Sequence, residues 1–300
     1  MLAAMTEQTE TRKQRAARRA GEFPPAPEPL PSPVPDSHTH LDITVGEYGT
    51  PPGATADDPV AAAIAVAAGV GVDRLVQVGV DVESSRWGAD VADRHPAVLA
   101  TVALHPNEAP RLADLDEALR EIEALAGRDR VRGVGETGMD FFRTGAEGRA
   151  AQEESFRAHV AIAKRHGKAL VIHDRDAHAD VLRILDDEGA PDTVVMHCFS
   201  GDADFARECV RRGHLLSFAG TVTFGSAAAL RGAAAVTPPE QMLVETDAPY
   251  LTPMPHRGRP NASYLIPLTV RFLADTIGAD LDALCAAIST NGERAFGPWR

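Results

Sequence analysis

Pro35-Asp36-Ser37-His38-Thr39-His40-Leu41-Asp42 puts two imidazoles one residue apart behind a short apolar lead-in, Val34. On a strand, residues i and i+2 share a face. His38 and His40 are thus able to address one ion, and a His-x-His pair ending a strand is a metal-ligand arrangement. Two surface histidines near a turn is the competing reading of the stretch taken alone. What decides between them is whether the rest of the chain brings matching ligands to matching places.

From Val34 onward the sequence alternates between two periods. Apolar, β-rich runs occupy residues 34–38, 75–80, 98–104, 131–136, 169–173, 193–197, 214–219 and 242–245. Helix-period segments lie between them, at 58–68, 83–95, 112–126, 150–166, 176–187, 202–212 and 226–235. Asp81 is the expected cap of the second, and Leu112, Leu115, Leu119, Ile122 and Leu125 form the apolar stripe of the third. Eight strands alternating with helices predict an α/β fold with parallel strands. A closed (β/α)8 TIM barrel fits the count and length better than an open sheet. Residues 264–288 read as terminal helices outside the barrel. Residues 43–57, with Gly46, Gly49, Pro51, Pro52 and Gly53, read as a long flexible loop beside the first ligand pair, either a lid or simply a loop.

Composition narrows the class. The chain has 300 residues, 44% hydrophobic and 24% charged, as in soluble globular proteins. No apolar run approaches the ~18–20 residues of a membrane span. The net charge of −13 argues against an extended nucleic-acid-binding surface but leaves room for a strand end entering a metal-lined pocket. Cys198, Cys209 and Cys285 are scattered and odd in number, which suits a reducing compartment. With no signal-peptide core at the N-terminus, the expected location is cytoplasmic. Nothing points to an oligomer, and a monomer is the default expectation.

Residues 1–33 are expected to be a disordered tail preceding a single barrel domain at 34–300. Arg12, Lys13, Arg15, Arg18 and Arg19 form a basic run, followed by prolines at 24, 25, 27, 29, 31, 33 and 35 that favour polyproline II. The run reads either as a solvated tail or as a contact for nucleic-acid phosphates.

In such barrels the chemistry sits at the C-terminal ends of the strands. Strand one delivers His38 and His40, strand four Glu136 and Asp140, strand five His173, strand six His197, and strand eight Glu245 and Asp247. Four histidines with two or three of these carboxylates exceed what one tetrahedral ion requires. Because a carboxylate has two oxygens and is able to bridge, the set suggests a two-metal centre.

The motifs Asp36-Ser37-His38-Thr39-His40-Leu41-Asp42, Leu104-His105-Pro106, Gly135-Glu136-Thr137-Gly138-Met139-Asp140, His173-Asp174-Arg175-Asp176-Ala177, His197-Cys198-Phe199-Ser200-Gly201 and Glu245-Thr246-Asp247-Ala248-Pro249-Tyr250-Leu251 occur in this order. In these the chain closely resembles the TatD-family metal-dependent hydrolases, of the amidohydrolase-like barrels. The resemblance implies one ion held by His38, His40, Glu136 and Asp247, and a second by Glu136, His173 and His197, with Glu136 bridging. It implies a deoxyribonuclease trimming single-stranded DNA, or RNA, from the 3′ end. Three positions depart from the family pattern: Asn107, Met139 and the Ala262-Ser263 pair.

In this reading Asp247 takes a proton from the attacking water, and Asp42 and Asp140 orient ligands. His105 contacts the scissile phosphate, or is structural. Arg175 and Arg257 clamp phosphate oxygens, or pair with a carboxylate such as Asp174. Phe141 and Phe142 stack a base, or merely pack. Imidazole ligands favour zinc, manganese or cobalt, and magnesium stays open where that ion is abundant. Two other functions compete: a metal-dependent deacylase or amidohydrolase acting on an ester or amide such as aminoacyl-tRNA, and a non-catalytic barrel scaffold.

Overall fold

Aspartate side chains start most of the longer helices. Asp58, Asp114, Asp202 and Asp280 each accept a hydrogen bond from a backbone N–H of the first turn, and Asp81 forms a reciprocal capping box with Ser84. Such caps contribute about 1 kcal/mol each. The structure, a computed structural model, describes residues 21–54 and 56–299. Its helices are α1 (Leu41–Glu47), α2 (Pro59–Ala68), α3 (Val82–Arg94), α4 (Leu115–Ala126), α5 (Arg149–His166), α6 (His178–Glu188), α7 (Ala203–Arg211), α8 (Ala228–Val236), α9 (Ile266–Ile277) and α10 (Leu281–Phe296). The helix expected from residue 112 begins at Leu115 because the Asp114 carboxylate caps it there, after a 3-10 turn at Ala109–Arg111. The loop expected over 43–57 is helical at its start: α1 runs to Glu47.

Eight strands lie between the helices: β1 (Val34–Thr39), β2 (Val72–Val78), β3 (Val98–Val102), β4 (Val131–Asp140), β5 (Ala169–Arg175), β6 (Val194–Met196), β7 (Leu215–Phe218) and β8 (Met242–Val244). All neighbours are parallel, in the order β1 to β8. The seam closes just beyond β8, where Thr39 bridges Ala248, Asp247 N–H donates to the His38 carbonyl at 2.9 Å, and His40 N–H donates to the Ala248 carbonyl at 2.9 Å. The fold is a (β/α)8 barrel. No helix among the described residues is long and apolar enough to cross a membrane.

Alternate strand residues build two layers. Leu75, Val98, Leu170, Ile172, Leu216 and Val244 face the helices, while Val76, Val78, Leu99, Val171, Val195, Leu215 and Leu243 fill the barrel. Phe296 and Trp299 close the bottom of the interior layer. Phe296 is buried, so Phe296→Ala opens a cavity under the barrel and is expected to cost about 3–5 kcal/mol. Urea unfolding checks this: a lower midpoint at unchanged slope is expected, and an unchanged midpoint contradicts the plug.

Of the tail expected over 1–33, residues 1–20 lie outside the described residues. Residues 22–33 are held against the barrel, which corrects that part of the expectation. Arg259 donates to the carbonyls of Glu22 and Phe23, Tyr264 Oη–H to Pro24, and Arg271 to Pro29; Leu30 N–H donates to Val70. A proline-rich extended chain leaves its carbonyls unpaired, and here side chains of the barrel take them.

Candidate metal centre

The same irregularity aims the central candidate ligands of β1 and β4. Asp36 pairs with Leu75 and Thr39 with Gln77, so β1 spends three steps where β2 spends two. Leu75 faces the helices and Gln77 alternates with the interior Val76 and Val78. The two residues between Asp36 and Thr39, Ser37 and His38, therefore both face inward, and Ser37 Oγ meets Ser217 Oγ at 2.9 Å. On β4, Val134 pairs with Leu170 and Thr137 with Ile172, which turns both Gly135 and Glu136 inward. A Cβ at Gly135 would collide with Val171, so this bulge requires glycine. Bulges re-aim side chains in this way at barrel rims. Asp247 sits just past β8 at φ 53°, a left-handed conformation that aspartate tolerates. Asp36, below it, binds Thr246 through both carboxylate oxygens and so ties β1 to β8; burial pushes its carboxyl up to about 7 against those bonds.

Glu136 stands at the middle of the candidate ligands. Its Oε1 lies 2.6 Å from His173 Nδ1, 3.3 Å from His197 Nε2 and 3.4 Å from His105 Nε2, and its Oε2 lies 3.5 Å from His38 Nε2. Asp247 Oδ1 is 3.4 Å from His40 Nε2 and 3.7 Å from His38 Nε2. The structure thus brings together His38, His40, Glu136, His173, His197 and Asp247. Burial works against a charged Glu136, but His197 and His105 beside it outweigh burial and hold its carboxyl well below the usual range. Burial, then the neighbouring His197, lowers the His38 imidazole. Burial also opposes charge on His173, but hydrogen bonds to Asp140 and Glu136 raise it to about 9.

The donor set fits a divalent cation. Both nitrogens of His38 are buried and neither has a hydrogen-bond partner, a costly state without a partner of another kind. His40 Nδ1 lies 3.1 Å from the Val78 carbonyl, to which it donates in the neutral tautomer. That leaves the Nε2 lone pair facing the Asp247 carboxylate, an arrangement a cation between them would relieve.

The remaining expected site residues fall into place unevenly. His105 joins Glu136 and His173 in one cluster. Its Nδ1 accepts from Asn107 N–H at 3.0 Å, so the proton of a neutral ring is on Nε2, directed at Glu136. Asn107 also donates to Asp140, which contacts His173 Nε2 at 3.2 Å. Asp42 binds Gln77 rather than a ligand. Arg175 lies on the exposed ring of Phe142 at 3.9 Å, and Arg257 on Phe224 at 4.4 Å. Asp174 binds His178, not Arg175. Phe141 does not offer an open ring: it packs on the core with Arg149 over it at 3.9 Å.

Glu245 received no role from the sequence. Its Oε1 lies 2.8 Å from His197 Nδ1 and accepts from Cys198 N–H at 2.9 Å. It stands as a close ion-pair partner behind the imidazole whose other nitrogen faces Glu136. The signal was present: Glu245 and Asp247 are spaced i, i+2, the rule that paired His38 with His40.

A buried histidine supports the His105 segment from behind. His159 of α5 accepts from Leu104 N–H at 3.0 Å on Nε2, and its Nδ1 is 2.6 Å from the Ser155 carbonyl, to which it donates. Burial lowers it to about 4. Unfolded histidine titrates near ~6.5, so between these values the unfolded state binds more protons. Stability is then present above about pH 6.5 and falls as pH drops towards 4, by about 2 kcal/mol at pH 5 from this group. Urea unfolding of wild type and His159→Gln at pH 7 and 5 checks the sign. The wild type is expected to lose more on acidification, and equal losses contradict it.

The model of the family described as TatD related DNase matches residues 35–297. The chain belongs to the TatD family. A TatD protein of Mycobacterium tuberculosis, described as an uncharacterized metal-dependent hydrolase, is 46% identical over 266 residues, spanning 87% of this chain and 97% of that protein. The 3′-5′ ssDNA/RNA exonuclease TatD of Citrobacter rodentium is 34% identical, spanning 78% and 90%. The crystal structure of a TatD homologue from Escherichia coli K12 superposes with a TM-score of 0.78 at 24% identity, covering 87% of this chain and 97% of that one, and shows the same fold. The protein is accordingly a TatD-family metal-dependent hydrolase, which sets aside the non-catalytic scaffold.

Proposed function

We propose that the protein hydrolyses phosphodiester bonds of single-stranded nucleic acid, working from the 3′ end. The observation that carries this is the pair of arginines at the mouth. Elsewhere arginines such as Arg128, Arg157, Arg183 and Arg212 are each tied to two or more acids. Among the described residues, Arg175 and Arg257 form no ion pair; each lies over a rim aromatic. In a chain of net charge −13, two guanidinium groups free of acids beside a carboxylate–imidazole cluster suit an anionic substrate. A neutral ester or amide would leave them without a partner. The 3′ polarity is supported by the exonuclease names of the Citrobacter rodentium relative and of a second from Dickeya dadantii.

His38, His40, Glu136 and Asp247 would hold one ion and Glu136, His173 and His197 the other, with zinc, manganese or magnesium as candidates. Bound ions of this kind lower the pKa of water and neutralise charge on phosphoryl oxygens. The chain's own groups do the rest. Arg175 and Arg257 bind and orient the phosphate. His105 contacts a phosphate oxygen that enters beside Glu136. Asp247 takes the proton of the attacking water: its side chain is 16% exposed against 5% for Glu136, so it is the carboxylate that water reaches.

The test is cleavage of 3′- and 5′-labelled single-stranded oligonucleotides with magnesium, manganese or zinc, and with a chelator. Stepwise shortening from the 3′ end, abolished by the chelator, is expected. Turnover of an aminoacyl ester with intact oligonucleotides would overturn the reading in favour of carbonyl chemistry.

A further inference from the structure

Glu245 takes no part in the hydrolysis proposed above, yet it is buried directly behind two of the candidate ligands. His38 and His197 pack ring on ring, with centroids 3.5 Å apart and planes 20° from parallel. Nε2 of each ring faces Glu136, at 3.5 and 3.3 Å. Nδ1 of each is buried with no hydrogen-bond partner, and Glu245 Oε2 is in the same state. The three residues meet: one ligand atom from each of His38, His197 and Glu245 lies within 4.8 Å of the other two. His197 Nδ1 is already 2.8 Å from Glu245 Oε1.

The other imidazoles of the centre have their second nitrogen provided for. His40 Nδ1 has the Val78 carbonyl, His173 Nε2 has Asp140, and His105 Nδ1 has the Asn107 N–H. A histidine that ligates through one nitrogen carries its proton on the other, and that N–H is normally taken by a carboxylate, a carbonyl or a water. For His38 and His197, Glu245 Oε2 is the buried carboxylate oxygen among the described residues that has no partner. Its neighbour Oε1 is engaged by the Cys198 N–H at 2.9 Å. A third cation in this position does not fit the chemistry. Both rings would then hold metal on both nitrogens, and each would have to give up its last proton.

We propose that Glu245 is a positioning residue shared by the whole centre, accepting the Nδ1 protons of both His38 and His197, directly or across one bridging water. It fixes the tautomer that leaves each Nε2 lone pair turned towards Glu136. His38 belongs to one candidate ion set and His197 to the other, so one carboxylate supports both. This rests on the two-ion reading of the centre.

The test is imidazole NMR of the zinc-loaded protein with isotope-labelled histidine, beside a zinc titration of the stripped protein. Wild type is expected to show His38 and His197 both protonated at Nδ1, with both protons protected from exchange with water. Glu245→Gln puts an N–H₂ donor on a carboxylate that served two N–H groups, so both Nδ1 signals are expected to shift. Both zinc-binding steps are expected to weaken by about 10–100-fold, the usual cost of losing such a partner. A His38 Nδ1 without a proton in wild type overturns the proposal, and that reading needs no variant. So does a change in Glu245→Gln confined to the His197 signal or to one binding step, because Glu245 would then serve a single ligand. Zinc stoichiometry reports separately on the two-ion reading: one ion per chain, with both Nδ1 protons in place and both moved by Glu245→Gln, would fault only that reading.

Discussion

Glu136→Gln is expected to lower turnover by about 10³-fold or more, the scale on which losing one preorganised electrostatic group acts in enzyme sites. The substitution keeps the shape of the side chain and leaves Gly135 and the β4 bulge untouched. What it removes is the charge at the centre of four imidazoles: Oε1 faces His105, His173 and His197, and Oε2 faces His38. An amide presents one N–H₂ donor where a lone pair is wanted and is a far poorer bridge between cations. The rate at saturating metal is the measurement. A variant within about tenfold of wild type would mean that Glu136 neither bridges nor balances charge.

Asp247→Asn is expected to reduce kcat by about 10²–10⁴-fold, the span of general base contributions, with a smaller effect on KM. Asparagine also tolerates the left-handed backbone at φ 53°, and the Asp247 N–H bond to the His38 carbonyl that closes the barrel is a main-chain bond. The loss therefore reports on the carboxylate rather than on the fold. Steady-state kinetics with the metal saturating separates the two constants. A kcat within threefold of wild type would move the proton to another group.

The sequence was explicit where one residue type at one strand end carried the information. His38, His40, His173 and His197 follow apolar runs that had to be strands, and the eight-fold alternation left few architectures open. Bulges were not visible in this way. The strict alternation that pairs His38 with His40 would also turn Asp36 inward, whereas the extra residue in β1 puts Ser37 inside and leaves Asp36 to clamp Thr246. At the rim, two adjacent phenylalanines looked equivalent. Which one is exposed depends on Arg149 of α5 covering Phe141 and Arg175 of β5 resting on Phe142, contacts between elements distant in sequence. The proline-rich stretch read as free because its own composition offers no partner. The partners are Arg259, Tyr264 and Arg271, more than 200 residues away.

The central claim is that cleavage depends on cations gathered around Glu136. The most direct test measures metal content and oligonucleotide cleavage on the same preparations, as purified, after exhaustive chelation and after metal return. The account predicts about two ions per chain in the active protein, cleavage lost in step with metal removal, and recovery on its return. Full cleavage by protein stripped of metal would contradict it.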